Sequence, residues 1–141
     1  MGNIMCLYLK NTLPSIMRLV VSAAIINDKK ELLLVQKKTV WILPGGKPEE
    51  SDLGCLVREV SEEIEEGKVT NCRFYKAFQG IAPFAGDGIN VDVYFAELQN
   101  LGKPQAEISD AAYATYEKTR AYPLSDVTKQ VVESLKQDGY L

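Results

Sequence analysis

The sequence predicts an α/β domain with helices packed on a sheet. Short β-branched runs recur along the chain, two stretches switch to the three-and-four spacing of an amphipathic helix, and the two kinds of element interleave. The 141 residues, 46% apolar and 25% charged, have the balance of a single globular domain. A chain of this size buries about 68–70% of its unfolded surface and needs no disulfide staples.

Residues 19–26 form the first apolar run, residues 27–30 a polar turn and residues 32–35 a second run, which together read as a hairpin. Trp41-Ile42-Leu43 then enters Pro44-Gly45-Gly46. Regular structure is expected to stop there, because proline lacks a donor and the glycines favour turn conformations. Over residues 50–66 the period becomes helical, with Leu53, Leu56, Val57, Val60 and Ile64 on one stripe and Gly67 as C-cap. Strands are expected at 72–78 and 89–98, the second alternating Ile89, Val91, Val93 and Phe95 against Asn90, Asp92 and Tyr94. Residues 79–88, with Pro83 and glycines at 80, 86 and 88, read as a loop. Ser125 is placed to N-cap a last helix over 126–137, whose stripe is Val127, Val131, Val132 and Leu135.

Composition removes several function classes. The chain has no histidine, so Ser-His-Asp and Cys-His triads and the usual histidine-containing zinc sites are excluded. A net charge of −3 argues against broad electrostatic binding to nucleic acid or an anionic membrane, and no window reaches the ~18 apolar residues of a membrane span. Cys6, Cys55 and Cys72 are odd in number and lack a C-x-x-C spacing, which fits a reducing, cytoplasmic setting. The N-terminus begins like a myristoylation signal but carries Cys6 where Ser or Thr is expected.

Glu59, Glu62, Glu63 and Glu66 share an arc of about 100° on the first helix, away from the apolar stripe. Each like-charge pair at i, i+3 or i+4 costs a bare helix about 0.2–0.5 kcal/mol. Two readings are open at this point: a solvated acidic face, or a site for a hard divalent cation that relieves the repulsion.

Leu43-Pro44-Gly45-Gly46-Lys47 ahead of Glu50, followed by Arg58-Glu59-Val60-Ser61-Glu62-Glu63, resembles the signature of the Nudix hydrolases (MutT-like). The seven residues between Glu50 and Arg58 agree with the family's spacing. Three residues separate Gly46 from Glu50, two fewer than in the family. Glu65 stands where the family's glycine is expected and Gly67 comes two residues late, so the helix is expected to run about half a turn longer. The resemblance spans residues 18–137, with 43–63 diagnostic.

The resemblance implies a Nudix fold, a mixed β-sheet sandwiched between helices. It also implies Mg²⁺-dependent hydrolysis, with Mn²⁺ as a substitute, of a diphosphate bond in a nucleoside diphosphate linked to another moiety: a nucleotide, ADP-ribose or a nucleotide-sugar. Glu59, Glu62, Glu63 and the Gly46 carbonyl would hold metal, and Arg58 would orient a neighbouring carboxylate. One glutamate, or an acid outside the helix such as Glu107 or Asp110, would serve as base. Glu50 either backs the ligands or complements the helix dipole.

Arg18, Lys37, Lys38 and Lys47 are the candidates to meet phosphate, each weighed against an ordinary solvated cation. Trp41, Phe84 and Tyr94 are weighed between stacking on a base and filling the core, and Cys55 is expected to be inert. The expected partner is a small nucleotide-type molecule. A homodimer is a further expectation, with residues 1–15 packing on the partner subunit. The competing functions are a catalytically weak nucleotide-binding or regulatory module and an RNA 5′-end pyrophosphohydrolase, which needs a basic groove. Prenyl-diphosphate isomerase chemistry would want histidines that this chain lacks.

Overall fold

The runs Leu-Val-Val-Ser-Ala-Ala-Ile and Leu-Leu-Leu-Val are continuous rather than alternating because both of their faces are covered, the pattern of strands sandwiched between layers. The computed structural model describes residues 17–141. In it the first run is β1 (Arg18–Ile25) and the second β2 (Leu32–Lys37). They are followed by β3 (Val40–Ile42), β4 (Gly45–Gly46), α1 (Asp52–Glu63), β5 (Val69–Ile81), β6 (Gly88–Leu98), β7 (Ile108–Ala114), α2 (Tyr116–Thr119) and α3 (Asp126–Gln137). Residues 1–15, named above as a packing segment, lie outside the described residues.

Four strands form a mixed sheet in the order β4-β1-β6-β5, with β1 and β6 parallel from Arg18↔Ile89 to Ile25↔Ala96. Three more form an antiparallel sheet in the order β3-β2-β7. Val21, Ala23 and Ile25 of β1 and Leu33 and Val35 of β2 face Cys55, Leu56 and Val60 of α1. The alternate residues Ala24, Leu32 and Leu34 face Val127, Val131, Val132 and Leu135 of α3. This gives helix, sheet and helix layers, as expected.

Several expectations need correction. The β1–β2 hairpin is closed only at its turn, by the Ile26↔Leu32 bridge and the bond from Asn27 N–H to Glu31 O, after which the strands enter different sheets. Pro44-Gly45-Gly46 does not end regular structure, because Gly45 and Gly46 pair with Ser22 and Val21 of β1. A Cβ on Gly45 would come within 2.7 Å of Ser22 Cα, so the pairing requires glycine there. The expected loop at 79–88 shrinks to residues 82–87, since β5 and β6 pair out to Ile81↔Gly88. Strand β7 and the short helix α2 were not anticipated.

Helix α1 starts and stops inside the expected limits. Ser51 is its N-cap, accepting from Gly54 N–H at 3.1 Å, so the cap role considered for Glu50 falls to its neighbour. The helix does not run longer. Ile64 turns extended and fully buried, bridging Pro104, while Gln105 N–H bonds Glu63 O at 2.9 Å. The left-handed residue after this end is Glu66, and Gly67 is needed for close approach, as a Cβ would lie 2.8 Å from Val60 O. The buried face is also turned from the expected stripe: Cys55, Leu56, Val60 and Glu63 point inward, and Leu53 and Val57 are exposed. Helix α3, capped by Ser125, has the limits read from the sequence.

Candidate active site

The rotation of α1 that exposes Leu53 and Val57 carries Glu59 and Glu63 onto the glycine strand β4. Gly45 N–H donates to Glu63 Oε1 at 3.0 Å. Gly46 sits against Glu59 so closely that a Cβ there would lie 2.6 Å from Glu59 Oε2. The ridge is therefore split: Glu63 is only 9% exposed and Glu59 is half-buried, whereas Glu62 and Glu66 face solvent. Burial pushes its carboxyl up to about 8, with the Gly45 N–H working against that and Glu59 adding to it. Glu62, one turn along from Arg58, is half exposed.

Arg58 ties this cluster together. Its Nε and one terminal nitrogen grip both oxygens of Glu50 at 3.0 and 3.1 Å. That same nitrogen reaches the Lys47 carbonyl at 3.1 Å, and the other donates to Glu59 Oε1 at 2.8 Å and Glu62 Oε1 at 3.5 Å. The bonds hold the guanidinium charged and draw Glu50 below the usual carboxylate range. The short loop thus closes on itself: residues 47–50 are pinned to the helix they precede. Cys55 is fully buried with its thiol pushed up to about 11 by burial, and it donates to Gly46 O at 3.5 Å. Neither contact was foreseen, because both join positions across the loop rather than along the helix.

The donor chemistry fits a hard divalent cation. Glu59 and Glu63 converge on adjoining glycines, and burial disfavours the charged form of Glu63, a cost that a cation beside it would offset. As the side chains stand, no group of three among the described residues surrounds one point, so ligation needs them to turn toward a common centre.

On the other side of β4 lies a cavity of about 380 Å³. Val20 and Ser22 of β1, Ile89 and Val91 of β6, Ile42, Leu43, and Val127 and Thr128 of α3 wall it. Arg18, Lys37 and Lys47, all expected to meet phosphate, reach it as well. Arg18 is held by both oxygens of Asp87 at 2.9 and 3.0 Å, and Lys37 pairs with Glu107 at 2.8 Å. Glu107 therefore stands near the cluster only through Lys37. Asp110 is on β7, not on a loop, where its side chain accepts from Ala111 N–H at 2.8 Å.

Of the three aromatics weighed for stacking, Trp41 is buried against Tyr122 at 4.7 Å between centroids, and Tyr94 donates to Asp52 at 2.7 Å. Phe84 alone lines the cavity, 43% exposed, with Lys38 Nζ 4.9 Å and Lys37 Nζ 5.7 Å from its ring centre. The hairpin tip that carries it is anchored on α3. Asp126 accepts from Ile81 N–H at 2.9 Å and Gln130 donates to Gln79 O at 3.0 Å. Gly80 makes room for this docking, as a Cβ there would lie 3.0 Å from Val127 Cγ2 and closer still to Asp126.

Layered helices on a mixed sheet, a helix-borne glutamate cluster and a cation-rimmed cavity sharing one glycine strand define an α/β protein with an acidic and a basic site side by side. The comparisons narrow that class. The NUDIX domain model matches residues 17–135, and the chain belongs to the Nudix hydrolase family. Among solved structures it is similar to a NUDIX hydrolase from Nitrosomonas europaea, with 19% identity, 87% of this chain and 90% of that one covered, and a TM-score of 0.75. It is also similar to the E. coli ORF135 protein, with 25% identity, 87% and 94% covered, and a TM-score of 0.66. The NUDIX domain of Shewanella oneidensis NrtR, solved with ADP ribose, matches at 21% identity over 94% and 97% of the two chains with a TM-score of 0.70. No curated protein matches the chain. Among the described residues no helix is long and apolar enough to cross a membrane.

Proposed function

We propose that the chain hydrolyses a diphosphate bond in a small nucleotide-type substrate, using Mg²⁺ or, in its place, Mn²⁺. The observation that carries this reading is the position of Gly45–Gly46, with Glu59 and Glu63 against the glycines and the cationic cavity also lined by them. A diphosphate seated over β4 meets both halves at once. Glu59, Glu62, Glu63 and the Gly46 carbonyl are the donors for the metal, which when bound neutralises phosphate charge and lowers the pKa of water. Arg58, anchored by Glu50, holds Glu59 in place and so acts as a positioning residue. Of these three glutamates Glu62, half exposed and held only by the 3.5 Å contact from Arg58, is the one with room to give up ligation and take a proton from the attacking water. Lys37 and Lys47 meet the phosphates from the cavity side.

A binding or regulatory module is the second reading, favoured by the absence of three carboxylates gathered at one point among the described residues. One experiment separates the two. Product release is measured from nucleoside triphosphates, ADP-ribose, dinucleoside polyphosphates and nucleotide-sugars with Mg²⁺ or Mn²⁺, then with chelator. Metal-dependent cleavage of any member supports the hydrolase. Binding of a nucleotide without cleavage of any substrate supports the module.

A further inference from the structure

The cavity beside β4 has an unusual lining for a nucleotide site. Among the described residues around it there is no Asn, Gln, Asp or Glu, so no side-chain amide or carboxylate faces a base edge. The hydroxyls of Ser125 and Thr128 bond each other at 2.7 Å as part of the α3 cap. Three main-chain donors on that side are committed too: Ile81 N–H to Asp126, Ala82 N–H to Asp87 O and Ser125 N–H to Trp41 O. Apart from the Ser22 hydroxyl beside Gly45, the side chains that remain are apolar, with Val20, Ile42, Val91 and Val127 inside and Phe84 at the rim. The charges at the mouth, Arg18, Lys37 and Lys47, suit phosphate rather than a base.

We propose that this cavity is a base-permissive nucleoside site: it holds the base by apolar contact and by stacking on Phe84, and selects its ligand by the phosphate. The inference rests on the nucleotide reading above and goes beyond it by naming how the substrate is chosen. Its size is in the range of small-molecule sites, about 300–1,000 Å³. The expected selectivity follows from the lining. A site built to hydrogen-bond its ligand rejects an analogue lacking the group by about 10⁴–10⁵, whereas apolar pockets separate close analogues by only about 10–200-fold. Stacking tolerates all four bases, because each presents a π-face.

The test uses AMP, GMP, CMP and UMP, which contain no diphosphate bond and so report binding without turnover, with ribose 5-phosphate as the ligand that lacks a base. Dissociation constants are measured by calorimetry on the full chain at fixed ionic strength. The proposal expects the four nucleotides to bind within about tenfold of one another and ribose 5-phosphate at least about tenfold more weakly. Phe84→Ala, a change at an exposed position, should weaken all four by similar factors of roughly ten. One base bound a hundredfold tighter than the rest overturns it. So does ribose 5-phosphate binding as well as the nucleotides, failure of every nucleotide to bind, or indifference to Phe84→Ala. Even binding of the four nucleotides without cleavage of any diphosphate would sink the hydrolase reading and leave this one standing. Cleavage restricted to a single base would do the reverse.

Discussion

The two sides of the glycine strand are built in opposite ways. On the α1 side, Arg58, Glu59, Glu62 and Glu63 come from one helix, and their partners Gly45, Gly46, Lys47 and Glu50 lie within 18 residues of them. On the cavity side, Arg18 reaches Asp87 across 69 residues, and Asp126 reaches Ile81 across 45. The charged side is densely bonded and fixed by local geometry. The cavity side is mostly apolar wall assembled by the sheet. This suggests a division of labour: the local side sets the geometry of the chemistry, where small displacements are costly, and the distant side supplies binding, where contact area and charge suffice.

Substitutions on the two sides should therefore differ in kind as well as in size. Glu59→Gln keeps shape and removes charge at the glycine strand, and is expected to lower turnover by about 10²–10³ with little change in the affinity for AMP. A parallel loss of affinity would merge the two regions. Gly46→Ala drives a methyl into the Glu59 carboxylate and should cost on the order of 10² in turnover, read against an unchanged circular dichroism spectrum. On the other side, Lys37→Ala removes one of several cations at the mouth, already paired with Glu107, and should raise KM by roughly threefold with kcat unchanged.

A further effect concerns stability. The Glu63 carboxyl sits at about 8 in the fold against an ordinary value of 4.5, so the folded state holds its proton to higher pH than the unfolded chain does. In metal-free protein that contribution is present at low pH and lost as pH rises from about 4.5 to about 8. Thermal melts of the chelated protein at pH 5 and pH 8 should show a larger fall in Tm for wild type than for Glu63→Gln. Equal falls would mean that Glu63 is not the buried acid responsible.

The same contrast explains what could be read from the sequence. Positions three and four apart on a helix are neighbours whatever the rest of the chain does, so the Arg58–Glu63 cluster was visible at once. The cap at Ser125 and the limits of α3 were equally local. The burial of Glu63 was not, because it depends on how far α1 rotates against β1 and β4, and the stripe through Leu53 and Val57 pointed to a different rotation. The early end of α1 depends on Pro104 and Gln105, about 40 residues downstream. Strand β7, Ile-Ser-Asp-Ala-Ala-Tyr-Ala, carries little β-branched or alternating signal and forms because β2 offers it an edge. Arg18, Lys37, Lys47 and Phe84 could be named singly, but only the β1–β6 pairing and the docking of the hairpin tip on α3 bring them around one cavity.

The most direct test of this division is Glu63→Gln, measured twice on the same preparation: metal-dependent cleavage of the best substrate and affinity for the corresponding nucleoside monophosphate. The account predicts turnover reduced by at least about 10² with the dissociation constant unchanged within a factor of about three. Turnover at the wild-type rate would contradict the assignment of chemistry to the buried glutamate on α1.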